Sequence, residues 1–192
     1  MIGYPNLKRN KVKEIKVVNN AIKGMSLEKE INESNEYYKQ IKKALIYKKP
    51  TPIQVVKVDY PKRSSAKISE AYYQIPSTTD YNGIYRKNYI DFEAKETISK
   101  SSFPFKNIHL HQIEHLRNVS ELGGIAFIMI KFISYNETYL IDALLAEKLY
   151  KNSKSISYLK IKEIGILIKE GLTPRLKYLD VVDQIYFKED LK

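Results

Sequence analysis

Residues 125–132, IAFIMIKF, carry one lysine in an otherwise apolar run. A β-strand sends successive side chains to opposite faces of its sheet, so a continuously apolar strand must be covered on both sides. The uninterrupted part, Ile125 to Ile130, is far too short to cross a bilayer. The run therefore reads as a central strand with helices on both faces, which places the chain in the α/β class with a central mixed sheet.

Residues 89–97, YIDFEAKET, show the opposite pattern: Asp91, Glu93 and Lys95 alternate with Ile90, Phe92 and Ala94. One face of such a strand packs on a core and the other is charged. A solvated polar face would look the same, and the pattern (Asp or Glu)-x-Lys recurs at Glu14 to Lys16 and Asp190 to Lys192, so the tripeptide alone discriminates nothing. Three features set Glu93-x-Lys95 apart. It lies on an alternating strand; Asp80 stands just before the same hairpin, where chain reversal brings it beside Glu93; and the next helix carries Gln112 among Ile108, His115, Leu116 and Val119 on its apolar face. A buried amide needs a partner, which is either backbone or a metal ion bound through its oxygen.

At 192 residues and 43% hydrophobic content the chain fits one folded domain of ordinary size. No membrane segment is expected, and the opening MIGYPNLKRNKVK lacks the apolar stretch of a secretion signal. The absence of cysteine excludes disulfides and thiolate metal sites and suits a reducing cytoplasm. The net charge of +11 is concentrated: residues 1–23 hold Lys8, Arg9, Lys11, Lys13, Lys16 and Lys23 against Glu14, and residues 39–67 hold nine Lys or Arg against Asp59. Segregation of this kind favours a nucleic-acid partner.

Residues 1–23 lack apolar periodicity and read as a flexible basic arm, with 24–192 as a single domain. A helix capped by Ser26 is predicted from the spacing of Leu27, Ile31, Tyr38, Ile41 and Leu45. IQVVKVDY follows as a strand, and GIYRKNYIDFEAKE as a hairpin turning at Arg86 to Asn88. Between them, 61–79 has no sustained apolar face and is read as a projecting excursion. A helix from about Asn107 to Leu122, a strand TYLIDAL, and helices at 155–170 and 178–187 complete the pattern.

Phosphodiester hydrolysis needs this set of groups. Mg²⁺ prefers carboxylate, amide and water oxygens, so Asp80, Glu93 and the Gln112 oxygen would suit it. Lys95, on the face of Glu93, would orient the nucleophile or stabilise the transition state.

With these residues in view, the sequence resembles the RecU family of Holliday junction resolvases, within the PD-(D/E)xK nuclease superfamily. TPIQVVKVDYPKRSS, STTDYNGIY, YIDFEAKET, SFPF and HQIEHL carry the likeness in order and spacing, and YLDVVDQIYF extends it. The resemblance implies a restriction-endonuclease-like core with a projecting stalk, and Mg²⁺, or Mn²⁺ in its place, held by Thr78, Asp80, Glu93 and Gln112. Lys95 would stabilise the transition state. It further implies a homodimer nicking opposed strands of a four-way DNA junction, with 61–79 as the stalk, where Lys62 and Arg63 would meet DNA. Lys67 would join them, with Tyr72 and Tyr73 packing on exposed base faces. A nucleoid-associated, cytoplasmic protein with the RecA recombinase among its partners is the corresponding biological expectation. Two departures from the wider pattern stand out: the superfamily's Pro-Asp is Thr79-Asp80 here, and Lys23 replaces the family's Arg, turning a forked phosphate contact into a point charge.

Two other readings exist. HQIEH, His111 to His115, matches the H-x-x-E-H pattern of inverted zinc metallopeptidases, which would need a third ligand such as Glu147 or Glu163. The basic arm and Tyr-rich excursion also suit a protein that binds branched DNA without cutting it.

Overall fold

The computed structural model describes residues 26–74 and 78–188. The first helix, α1 (Leu27–Gln40), starts at the Ser26 cap with Glu28 and Glu30 in its first turn, where acidic side chains favour the positive end of the dipole. It stops at Gln40, and Lys42 takes a positive φ of 56°. Leu45, expected on this helix, therefore lies on a strand, β1 (Ala44–Lys48).

Strands β2 (Ile53–Asp59) and β3 (Lys67–Tyr73) pair with each other and with no strand of the central sheet. All their residues are exposed, including Ile53, Val55, Val58 and Ile68. The excursion thus includes the strand placed before it by sequence: the paired hairpin starts at Ile53 rather than 61, and 60–66 forms its tip.

The chain returns through β4 (Tyr81–Tyr85) and β5 (Asn88–Thr97), joined by Arg86 and Lys87 with φ of 46° and 67°. Two residues with positive φ give the two-residue hairpin loop whose twist matches its strands. Gly83 sits where a Cβ would lie 2.0 Å from the Leu45 carbonyl oxygen, so only glycine allows β1 to pair there with β4.

Then follow β6 (Ser102–Pro104), α2 (Leu110–Glu121), β7 (Ile125–Phe132) and β8 (Glu137–Asp142). Asp142 ends β8 by accepting from the backbone N–H groups of Leu144 and Leu145, which starts α3 (Ala143–Asn152), a helix the sequence reading lacked. The chain closes with β9 (Ser155–Ser157), α4 (Tyr158–Ile164), β10 (Ile166–Leu167) and α5 (Tyr178–Tyr186). The helix expected over 155–170 is therefore only its middle part.

The central sheet has the order β1-β4-β5-β7-β8-β10, with β5 and β7 parallel and every other neighbouring pair antiparallel. Every residue of β7 is buried. Phe127 and Met129 join a core with Leu27 and Ile31 of α1 and Leu179 and Val182 of α5. Ala126, Ile128 and Ile130 join a second core with Ile113 and Leu116 of α2, Ala146 of α3 and Ile161 of α4. Each large apolar side chain so buried contributes roughly 1.5–3 kcal/mol. The fold is the mixed α/β architecture expected, a central mixed sheet flanked by helices. The Lys131 ammonium of β7 pairs at 2.6 Å with Glu30 of α1, both almost fully buried. The Leu27 N–H donates to Glu96 of β5 at 3.0 Å, and Leu27 and Ile31 pack with Ile90 and Phe92, so α1 is anchored on the apolar face of that strand, opposite Asp91, Glu93 and Lys95.

Candidate active site

Pairing of Tyr81 with Phe92 brings the residue before β4 next to the charged face of β5. There the Asp80 backbone N–H donates to Glu93 Oε2 at 3.2 Å. Lys95 Nζ lies against Glu93 Oε1 and 3.8 Å from Asp80 Oδ2. The face is not solvated, as an ordinary half-buried strand would have it: Asp91 and Glu93 are both wholly buried. Burial, reinforced by the neighbouring Asp80 carboxylate and opposed by Lys95, pushes the Glu93 carboxyl up to about 8. Glu93 Oε1 is buried, and the Lys95 ammonium beside it is its ion-pair partner. A wholly buried carboxylate beside a second carboxylate fits a hard divalent cation.

Asp80 and Lys95 border a cleft of about 350 Å³ that also touches Glu28, Lys48 and Glu96. Asp80 also borders a smaller recess of about 200 Å³, with Lys49, Thr78 and Thr79, at the foot of the β2–β3 hairpin.

The family model described as Recombination protein U matches residues 22–184. The chain belongs to the RecU family. Among curated relatives, proteins named Holliday junction resolvase RecU are similar to it along most of their length. That of Shouchella clausii is 52% identical over 88% of this chain and 84% of its own. Those of Bacillus cytotoxicus and Bacillus cereus are 48% and 50% identical, each over 97% of this chain and 98% of the relative.

Of the residues expected from this family's pattern, direct contacts join Asp80, Glu93 and Lys95. Thr78 is linked to them less directly, its hydroxyl accepting from Lys49 Nζ at 3.3 Å. Gln112 is buried on α2, and its side-chain oxygen accepts from the His109 N–H at 3.0 Å. That bond is the backbone partner considered from sequence, and it leaves the oxygen a second lone pair. Lys62, Lys67, Tyr72 and Tyr73 are exposed on the hairpin, with the Tyr72 hydroxyl donating to Glu70 at 2.7 Å. Lys23 and the Arg63 side chain, with their expected DNA contacts, lie outside the described residues and atoms, as does the basic arm.

The zinc-site reading of HQIEH finds no support in the geometry. His115 is engaged with Asp91 at 3.1 Å, Glu147 is paired with Arg117 and Lys151, and Glu163 with Lys160. No three His, Asp or Glu side chains converge on a common point among the described residues.

Sequence reasoning missed a second group beside the RecU-type cluster. Asp91 takes contacts from Lys49, Thr79, Tyr89 and His115. A signal for Asp91 was present, since it shares the charged face of YIDFEAKET; nothing in sequence pointed to Lys49, 42 residues away.

Proposed function

We propose that this chain is a Mg²⁺-dependent endonuclease, with Mn²⁺ able to substitute, that resolves four-way DNA junctions by paired symmetric nicks in recombination and repair. The observation that carries the reading is the Asp80–Glu93–Lys95 cluster, in which the Glu93 carboxyl is held wholly buried beside a second carboxylate at the expense of a strongly raised pKa. Retaining so costly a group is expected of a site with chemistry to perform. The naming of its close relatives as Holliday junction resolvases supports the substrate.

Asp80 and Glu93 would hold the cation, with Thr78 and Gln112 completing the oxygen set. When bound, it supplies activation of a water and neutralisation of phosphate charge. Lys95, beside both carboxylates, donates to a non-bridging phosphate oxygen as negative charge grows in the transition state, worth roughly 2.7–4 kcal/mol by analogy with oxyanion-hole donors. Because Asp80 and Glu93 face each other from the two sides of one hairpin, their separation is set by the β4–β5 pairing.

The DNA-facing part of the reading rests on exposure and charge. Lys62 and Lys67 would meet phosphates, Tyr72 and Tyr73 would stack on exposed bases, and Arg63 and Lys23 would add charge. Residues 24–192 form one nuclease domain in this reading, with the hairpin as its stalk and 1–23 as a basic arm. The resemblance adds a homodimer, which matches the two-fold arrangement of a four-way junction, together with the RecA recombinase as partner and a nucleoid-associated cytoplasmic location. No described helix is long and apolar enough to cross a membrane.

The test is incubation of end-labelled four-way junctions of several sequences with the protein in Mg²⁺, Mn²⁺ or EDTA. Paired nicks that require metal are expected. Junctions bound tightly yet never cut would instead favour the binding-only reading.

A further inference from the structure

We propose that Asp91 is a positioning residue for this site: a buried carboxylate that ties together the three elements carrying the metal ligands. The inference rests on the reading of Asp80 and Glu93 as ligands. Asp91 is wholly buried and lies two residues before Glu93 on the same face of β5. Its Oδ1 accepts from the Thr79 hydroxyl, and Thr79 is the buried residue between Thr78 and Asp80. Its Oδ2 receives Lys49 Nζ at 2.8 Å and the Tyr89 hydroxyl at 2.7 Å, and lies 3.1 Å from His115 Nε2. His115 follows Gln112 on α2 by less than one turn. One side chain thus bonds the loop of Thr78 and Asp80 and the helix of Gln112, from the strand of Glu93.

Lys49 closes the arrangement. Its ammonium donates to the Thr79 hydroxyl at 2.9 Å as well as to Asp91, and its backbone N–H donates to the Asp80 carbonyl at 2.8 Å. It neutralises a carboxylate that would otherwise be buried unpaired, which allows the group to serve as a fixed support rather than a source of instability. Neither Asp91 nor Thr79 belongs to the ligand set, so their effect passes through the placement of others. Outer partners of metal ligands typically change metal affinity or activity by about 10–100-fold when removed.

The experiment compares the full chain with Thr79→Val, Thr79→Ser, Asp91→Asn and Asp80→Asn. Mn²⁺ binding is read without turnover from the electron paramagnetic resonance of free Mn²⁺, beside thermal unfolding and junction affinity in EDTA. Thr79→Val removes the donor at nearly constant shape and leaves the Lys49–Asp91 pair in place. It and Asp91→Asn should bind Mn²⁺ about 10–100-fold more weakly, with metal-free junction affinity unchanged, and Thr79→Ser should restore binding. If Asp91→Asn fails to fold, the Thr79 pair decides alone. Wild-type Mn²⁺ affinity in Thr79→Val, alongside loss in Asp80→Asn, would overturn the positioning role and leave the ligand assignment standing. Wild-type affinity in Asp80→Asn would overturn both. A defect in Thr79→Val that serine does not repair would also overturn the proposal, because the hydroxyl link would not be its cause.

Discussion

Replacing Glu93 by glutamine should make the metal-free protein more stable while ending its activity. The Glu93 carboxyl is held at about 8 in the fold against an ordinary 4.5, chiefly because it is buried. The folded state therefore binds this proton more tightly than the unfolded chain, and stability falls as pH rises from 4.5 towards 8. At 1.36 kcal/mol per pH unit the loss by pH 8 is on the order of 4 kcal/mol, falling to about 1 kcal/mol at pH 5. Glutamine keeps the shape without the charge. Lys95, one-quarter exposed and 3.8 Å from Asp80, stays hydrated and paired when Glu93 loses its charge, so most of the gain should survive. For a chain of this size the gain corresponds to a Tm higher by roughly 8–16 °C at pH 8, with little difference at pH 5. Calorimetry in EDTA at the two pH values measures this directly, and added Mg²⁺ should raise the Tm of the wild type but not of Glu93→Gln. A variant no more stable than wild type at pH 8, or a gap that does not change with pH, would refute the account of Glu93 as a strained, waiting ligand.

Lys95→Ala should slow junction cleavage by about 10²–10³-fold with Mn²⁺ affinity little changed, since it removes a transition-state donor rather than a ligand; near-normal turnover would remove that role. Replacing the β2–β3 hairpin, residues 53–73, by a tight turn should leave thermal stability nearly unchanged, because its strands bury no side chain. Junction affinity and cleavage should then fall far more than duplex affinity, and equal losses on both substrates would reduce the hairpin to a basic patch. Lys131→Met leaves Glu30 buried without its 2.6 Å partner and should destabilise by about 3–5 kcal/mol. Adding Glu30→Leu should recover most of that loss in thermal unfolding, and a failure to recover would show that shape rather than charge balance matters there.

Several local patterns were read correctly, although α3 after its Asp142 cap was missed and the helix expected over 155–170 is shorter. The apolar run of β7 demanded cover on both faces and has it; the alternation of β5 and the turn at Arg86 and Lys87 appeared where the pattern put them. Asp80, Glu93 and Lys95 were legible together because one hairpin reversal brings them into contact, and the RecU-type motifs named the chemistry. These properties depend on side-chain period and turn conformation over a few residues, which sequence carries directly.

Other outcomes depended on partners distant in the chain. Leu45 continues a helical spacing, yet the backbone turns at Lys42 and β1 forms because β4 offers it an open edge. Ile53–Asp59 has every local mark of a core strand, but it pairs with β3 instead of joining the central sheet, so its apolar residues stay exposed. The same limit hid the support around Asp91. Lys49, Thr79 and His115 lie 42, 12 and 24 residues from it, and only the assembled sheet with α2 packed on it brings their polar atoms to one buried carboxylate. Sequence determined which strand faces are apolar and which hairpin carries the acids; the tertiary structure decided which charges are removed from water, and burial is what separates a reactive carboxylate from a surface one.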